Sequence, residues 1–305
     1  MRKLNIFLTI IFLASCTHKN PPCFKKKLTQ QHISTTQKPF VIIIPSYNNQ
    51  DWYKYNLASV FRQKYKNFRV IYIDDCSTDN TAKLVSRYVR KNKFGMEVKM
   101  EVEMGVKNFV FIKNKKRCGA LANIWHAISK CDNHEIIVTL DGDDWFAHDQ
   151  VLETLNTYYQ NPDTWLTYGQ FQNWPTGTPG WCKVAPQDII KKNNFREFGF
   201  WFAQLRTFYT WLAKKINPED LYDPVTHDFF RVAGDVALMF PLMELAGAHG
   251  VFIEQILYIR NVQTPINDFK INLDMQLKTT EYIRKLKKYT PYPLAKNNAP
   301  VTLKS

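Results

Sequence analysis

Much that would classify a chain at once is missing from these 305 residues. The six cysteines (Cys16, Cys23, Cys76, Cys118, Cys131 and Cys182) contain no C-x-x-C pair, which argues against a zinc ribbon. There is no G-x-x-x-x-G-K-[ST] and no G-x-G-x-x-G, so the phosphate loops of nucleoside triphosphatases and dinucleotide enzymes are excluded. An EF-hand is excluded as well: after Asp141-Gly142-Asp143 the position that must be glycine is Phe146. No internal repeat is evident.

Acidic residues are absent from residues 1–40, which carry seven Lys and Arg. Residues 263–305 carry eight basic residues against three acidic, and residues 41–262 hold 26 against 24. The net charge of +14 therefore lies in the two ends. A near-neutral middle argues against a nucleic-acid groove, and the basic ends suit an anionic membrane surface. One local cluster, Lys113, Lys115, Lys116 and Arg117, stands apart.

Arg2 and Lys3 precede an apolar stretch, Leu4–Ala14, that is too short to span a bilayer comfortably. It ends in Leu13-Ala14-Ser15-Cys16, which resembles a bacterial lipobox; an uncleaved short anchor is the alternative. Residues 1–16 are thus expected to be a signal-like membrane segment, and 17–37, with Pro21, Pro22 and Lys25–Lys27, a flexible basic tether. Lipidation of Cys16 would leave an odd number of cysteines, and unpaired thiols suit a reducing compartment. The expectation is membrane attachment with the following domain in the cytoplasm.

An apolar content of 45% supports one large core. From Pro39 the pattern alternates: strands at Phe40–Ile44, Phe68–Ile73 and Glu135–Leu140, helices at Asp51–Gln63, Thr81–Val89 and Ala120–Ser129. This predicts an α/β fold, a mostly parallel central sheet flanked by helices. Tyr168–Trp211 reads as an aromatic loop, either core beneath a long loop or a platform for sugar rings. A helix is expected at Val236–Leu245, and residues 263–305 read as a basic tail, helical through Leu273–Lys288.

Polar residues follow three strands: Pro45-Ser46-Tyr47-Asn48, Asp74-Asp75, and Asp141 with Asp143 and Asp144. Open α/β sheets bind ligands at such carboxyl ends. Crowded carboxylates repel unless a cation or proton joins them, and Mg2+ or Mn2+ carrying a diphosphate fits. The plainer alternative is an acidic turn.

These pieces resemble family 2 glycosyltransferases of the GT-A fold, the nucleotide-diphospho-sugar transferase architecture. The matching segments are IIIPSYN at Ile42–Asn48, VIYIDDCSTDNT at Val70–Thr81, KNKKRCGALANIWHAI at Lys113–Ile128, LDGDDW at Leu140–Trp145 and AGDVALMFPLMELAG at Ala233–Gly247. The resemblance covers residues 38–262. It implies an inverting, metal-dependent transfer of a sugar from a nucleoside diphosphate donor, with UDP the expected nucleotide, to a glycan or lipid-linked acceptor. By the same resemblance Pro45, Ser46 and Tyr47 line the nucleotide pocket, Asp75 contacts the base, and Arg117 and Asn123 lie near the phosphates and sugar. Asp141 belongs to the D-x-D donor site, Asp143 and Asp144 are the metal ligands for Mn2+ or Mg2+, and Asp235 is the general base. Without it, the alternative for Asp235 is an N-cap on the helix Val236–Leu245. Arg206 could meet a phosphate or an acceptor carboxylate, or be ion-paired. His227 and His249 are assigned no metal, and Tyr258–Ile266 resembles a late family segment that closes over the site, here without the histidine that some members place after the arginine. A non-catalytic carbohydrate-binding lipoprotein and a nucleotidyltransferase are the alternatives.

Overall fold

A computed structural model describes residues 36–92, 99–101, 103–106, 108–264 and 273–293. The lipobox-like segment and the tether up to residue 35 lie outside the described residues. So does the end of the chain from residue 294.

The strands are β1 (Phe40–Ser46), β2 (Phe68–Asp74), β3 (Lys99–Glu101), β4 (Glu103–Val106), β5 (Phe109–Lys113), β6 (Ile136–Thr139), β7 (Trp145–Phe146), β8 (Leu166–Trp174), β9 (Thr207–Tyr209) and β10 (Gly250–Asn261). They form one sheet in the order β3-β4-β5-β2-β1-β6-β9-β8-β10-β7. Its centre, β5-β2-β1-β6, is parallel as expected, while β4, β7 and β9 pair antiparallel.

β1 shows why a continuous apolar run belongs at the centre. Successive side chains point to opposite faces, so Val41 and Ile43 join one core cluster while Phe40, Ile42 and Ile44 join another. The second cluster is closed by α1 (Tyr53–Phe61), α2 (Thr81–Lys91) and α4 (Val151–Tyr159). The first is closed by α3 (Ala120–Ser129), the short helices α5 (Gln187–Lys192), α6 (Phe195–Phe198) and α7 (Thr210–Ala213), and α8 (Gly234–Ala246). α8 is buried at every position from Val236 to Ala246, the signature of a core helix rather than an amphipathic one.

Tyr168–Trp211, expected as a loop, instead contains most of β8, two helices and β9. The aromatic residues Phe195, Phe202 and Phe208 are fully buried core. The C-terminal α9 (Leu273–Lys285) is shorter than the predicted helix and is docked on the domain through buried Ile283. Among the described residues no helix is long and apolar enough to cross a membrane.

Candidate functional site

The carboxyl ends of β1, β2 and β6 open into a cavity of about 510 Å3. Backbone bonds knit the turns beyond these strands: Gly142 N–H donates to Pro45 O at 3.0 Å and Asp75 N–H to Ser46 O at 2.8 Å. Gly142 permits this approach, because a Cβ there would stand 2.7 Å from both Ser46 Oγ and Asn49 Nδ2. Ser46 Oγ in turn accepts from Tyr72 at 2.8 Å and Asn49 at 3.0 Å. Asn56 of α1, not singled out in the sequence, caps the acidic turn by donating to the carbonyls of Asp141 and Asp144 at 2.9 and 2.8 Å.

The three acids of that turn differ sharply. Asp144 is buried, with Oδ2 accepting from the Tyr258 hydroxyl and Oδ1 from the Asn261 N–H, both at 2.6 Å. Burial, then the charges of Asp143 and Asp141, holds its carboxyl well above the ordinary range. Asp144 therefore braces the end of β10. Asp143 is half-buried in the cavity wall. Burial, with the charge of Asp141 second, pushes its carboxyl up to about 6. Asp141 accepts from Tyr258 at 3.2 Å.

Asp75 is buried and fully engaged. Its oxygens accept from Asn114 Nδ2 and the N–H groups of Cys118 and Gly119, each at 2.8 Å. Burial alone would raise its pKa, but the Cys118 N–H, the Asn114 side chain and the Gly119 N–H outweigh it, and the net shift is downward. Asp75 thereby folds the basic segment Lys113–Gly119 back over the sheet. Gly119, at φ +92°, supplies a backbone shape other residues adopt only with strain. The fold-back sets the Arg117 guanidinium 4.0 Å above the Tyr47 ring, a cation–π contact at the cavity rim.

Asp235 lies in the first turn of α8 rather than at its cap, which is Ala233. It is half-exposed, and its Oδ1 accepts from the Val236 N–H at 2.9 Å. Arg206, which ends the loop before β9, is buried between two acids: Nη1 is 3.5 Å from Asp235 Oδ2, and Nη2 is 3.9 Å from Asp141 Oδ2.

Every residue expected to hold donor, metal or acceptor proton lines this one cavity: Pro45, Ser46, Tyr47, Asp75, Arg117, Asn123, Asp141, Asp143, Asp144 and Asp235. Arg206, Arg231, Arg260, Asn261 and, from α9, Gln276 also line it. Four of these polar groups are buried without a partner: Asn123 Nδ2, Asn261 Nδ2, Arg206 Nε and Gln276 Oε1. Buried polar atoms rarely stay unpaired, so their collection in one cavity marks a place prepared for a ligand rich in hydroxyl and phosphate oxygens. The resemblance of Tyr258–Ile266 to a late segment placed Tyr258 and Asn261 near the site without a role for either, because their partners lie more than a hundred residues away; nothing in the sequence singled out Gln276. His227 and His249 are not among the lining residues.

The comparisons agree on kinship. The profile of glycosyl transferase family 2 matches residues 41–208. The chain is similar to an uncharacterized glycosyltransferase of Haemophilus influenzae, with 30% identity over 130 residues, 43% of this chain and 46% of that one. It therefore spans about half the length of that relative. Glycosyltransferase GlyG of Streptococcus pneumoniae is 24% identical over 225 residues, covering 72% of this chain and 69% of GlyG. Among solved structures, S. aureus TarS 1-349 in complex with UDP-GlcNAc shares 18% identity at a TM-score of 0.53, covering 73% of this chain and 58% of that one. The mannosyltransferase PcManGT from Pyrobaculum calidifontis, in complex with GDP-Man and Mn2+, gives 15% and 0.53, covering 84% and 67%. At these identities what the solved structures share with this chain is the fold.

Proposed function

The chain belongs to glycosyl transferase family 2, and from that premise we propose that it moves a sugar from a nucleoside diphosphate donor, UDP-linked by preference, to an acceptor hydroxyl with inversion at the anomeric carbon. The observation that carries this reading is the convergence of all the expected donor, metal and base residues on one cavity.

The roles follow from position. Tyr47 and Arg117 form the rim against which a base or ribose can lie, and Asp75 holds Arg117 there by anchoring its loop. Asn123 offers an unpartnered N–H to donor oxygens. Asp235, across Arg206 from the acidic turn, takes the proton of the acceptor hydroxyl as its oxygen attacks the anomeric carbon.

A divalent cation, Mn2+ or Mg2+, fits the acidic turn. Among the described residues no three acidic, histidine or cysteine side chains form a complete metal cage. Such ions commonly take one or two carboxylates and complete their shell with substrate phosphates and water. Asp143, whose ionised form is disfavoured by burial and then by the charge of Asp141, would hold the cation together with Asp141. Asp144, spent on Tyr258 and Asn261, would support the turn behind them. When bound, the cation supplies neutralising charge for the diphosphate.

The proposal includes membrane attachment through the N-terminal segment with the domain in the cytoplasm and a glycan or lipid-linked acceptor. The free thiols of Cys76, Cys118, Cys131 and Cys182 support the reducing side, and labelling of Cys76 in intact cells by a membrane-impermeant thiol reagent would refute it. For the activity itself, purified protein is incubated with UDP- and GDP-sugars in Mn2+ or in EDTA. Release of nucleoside diphosphate is the expected result. Release of pyrophosphate would identify nucleotidyl transfer instead, and carbohydrate binding without turnover would leave a binding module.

A further inference from the structure

Among the described residues two arginines, Arg196 and Arg206, are more than nine-tenths buried, and they are buried for different reasons. Arg196 is saturated: Nε and Nη2 reach the two oxygens of Glu244 at 2.6 and 2.8 Å, and Nη1 reaches the Ile283 carbonyl at 2.6 Å. Arg206 is not. Its two approaches to carboxylates, 3.5 and 3.9 Å, exceed the roughly 2.7–2.9 Å of a charge-assisted hydrogen bond. Its Nε is buried with no acceptor at all. A guanidinium carries five N–H donors in a fixed plane, and leaving them unmet away from water is costly. A cation held in this way, in the wall of a cavity, is arranged in advance for negative charge that arrives later.

The position says which charge. Arg206 stands between Asp141, in the donor-side turn, and Asp235, on the acceptor side. An anionic group on the acceptor would be repelled by Asp235, which needs only a hydroxyl. The charge that develops between these two acids belongs to the departing group. We propose that Arg206 is a further catalytic residue, donating hydrogen bonds to the β-phosphate of the nucleoside diphosphate as it leaves. The inference rests on the glycosyltransferase reading. In the step, the bond from the anomeric carbon to the β-phosphate oxygen breaks with its electron pair passing to that oxygen. The acceptor oxygen bonds to the same carbon, its proton goes to Asp235, and Arg206 meets the new phosphate charge.

The test compares UDP with UMP (GDP with GMP if the donor panel selects guanosine) by calorimetry on wild type, Arg206→Met and Arg206→Lys, alongside donor hydrolysis, in which water serves as acceptor. Arg206→Met should weaken UDP about tenfold while leaving UMP within about twofold, because only UDP carries the β-phosphate. Its hydrolytic kcat should fall about 100-fold or more, the usual loss for one preorganised donor, with Arg206→Lys intermediate. Millimolar guanidinium should restore part of the kcat of Arg206→Ala but none of that of Asp235→Asn. Thermal unfolding separates misfolded variants, and Arg206→Lys, which retains the charge, serves if Arg206→Met is unstable. Equal loss of UDP and UMP affinity, or unchanged UDP affinity with unchanged hydrolysis, would overturn the role. Failure of wild type to bind either nucleoside diphosphate would instead overturn the glycosyltransferase reading beneath it.

Discussion

Replacing Arg196 with methionine tests how the C-terminal helix is held. The Arg196–Glu244 pair has side chains only 2% and 0% exposed. It joins α6 to α8 and, through the Ile283 carbonyl and the Tyr289 N–H, which donates to Glu244 Oε2 at 3.0 Å, to the chain end. Methionine fills similar volume but leaves the Glu244 carboxylate facing no cation, and the Ile283 carbonyl keeps only the longer Leu286 N–H bond at 3.2 Å. Breaking one partner of a buried, well-formed ion pair costs about 3–5 kcal/mol. For a domain of this size each kcal/mol lowers Tm by roughly 2–4 °C, so a drop on the order of 10 °C is expected. Arg196→Met combined with Glu244→Leu removes the stranded charge and should recover more than half of the loss. Urea unfolding of the two single variants and the double variant gives the coupling energy directly. Limited proteolysis should cut after Lys285, Lys287 or Lys288 sooner in Arg196→Met than in wild type. A single-variant cost below about 1 kcal/mol, or a double variant as unstable as the sum of the singles, would refute the clasp.

In EDTA, Asp143 should make stability pH-dependent. Its carboxyl is lifted from 3.8 to about 6, so the folded state binds that proton more tightly than the unfolded state. Stability should fall as pH rises from about 4 to 6, by at most about 3 kcal/mol, and Asp143→Asn should flatten that limb; identical Tm–pH slopes for both proteins would contradict it. Gly142→Ala forces a Cβ to 2.7 Å from Ser46 and Asn49, and should cost about 1–3 kcal/mol in urea unfolding and weaken UDP binding. Asp235→Asn should lower the rate of nucleoside diphosphate release at least about 100-fold with UDP affinity unchanged by calorimetry. Asp75→Asn turns an NH2 group toward the Cys118 or Gly119 N–H, so about 1–3 kcal/mol of stability and the exchange protection of those two amides should be lost.

The strands at the centre of the sheet were readable because burial on both faces demands unbroken apolar runs, as in Phe40–Ile44 and Phe68–Ile73. The helix over Ala120–Ser129 was placed residue for residue. The sheet beyond β6 was not readable, and the causes are physical. β8 carries Gln170, Gln172 and Asn173 toward a partly open end, so its outer half lacks the period of a buried strand. β10 is interrupted by register shifts near Ile256 and Tyr258, which break alternation in the sequence itself. The aromatic residues between Pro175 and Trp211 looked like a loop because short helices leave too little periodicity to detect. In the basic C-terminal segment, buried Ile283, the ring contacts of Tyr282 and Tyr292 and the distant Arg196 decide that it docks.

The site shows the same limit at finer grain. Asp143 and Asp144 are adjacent and chemically identical, so a reading of Leu140–Trp145 cannot separate a ligand from a brace. On the proposed reading the separation comes from Tyr258 and Asn261, more than a hundred residues away, which occupy both oxygens of Asp144. Arg206 follows the same rule. In sequence, Leu205–Phe208 left a phosphate, an acceptor carboxylate and an ion pair all open for it; the choice narrows with Asp141 on the donor-side turn and Asp235 at the start of α8, which the fold brings to either side of it. Types of chemistry are thus legible in local motifs, because acids after apolar strands are rare without cause. The division of labour proposed for those acids follows from which oxygens the rest of the fold has already satisfied, and that is a property of partners rather than of position in the chain.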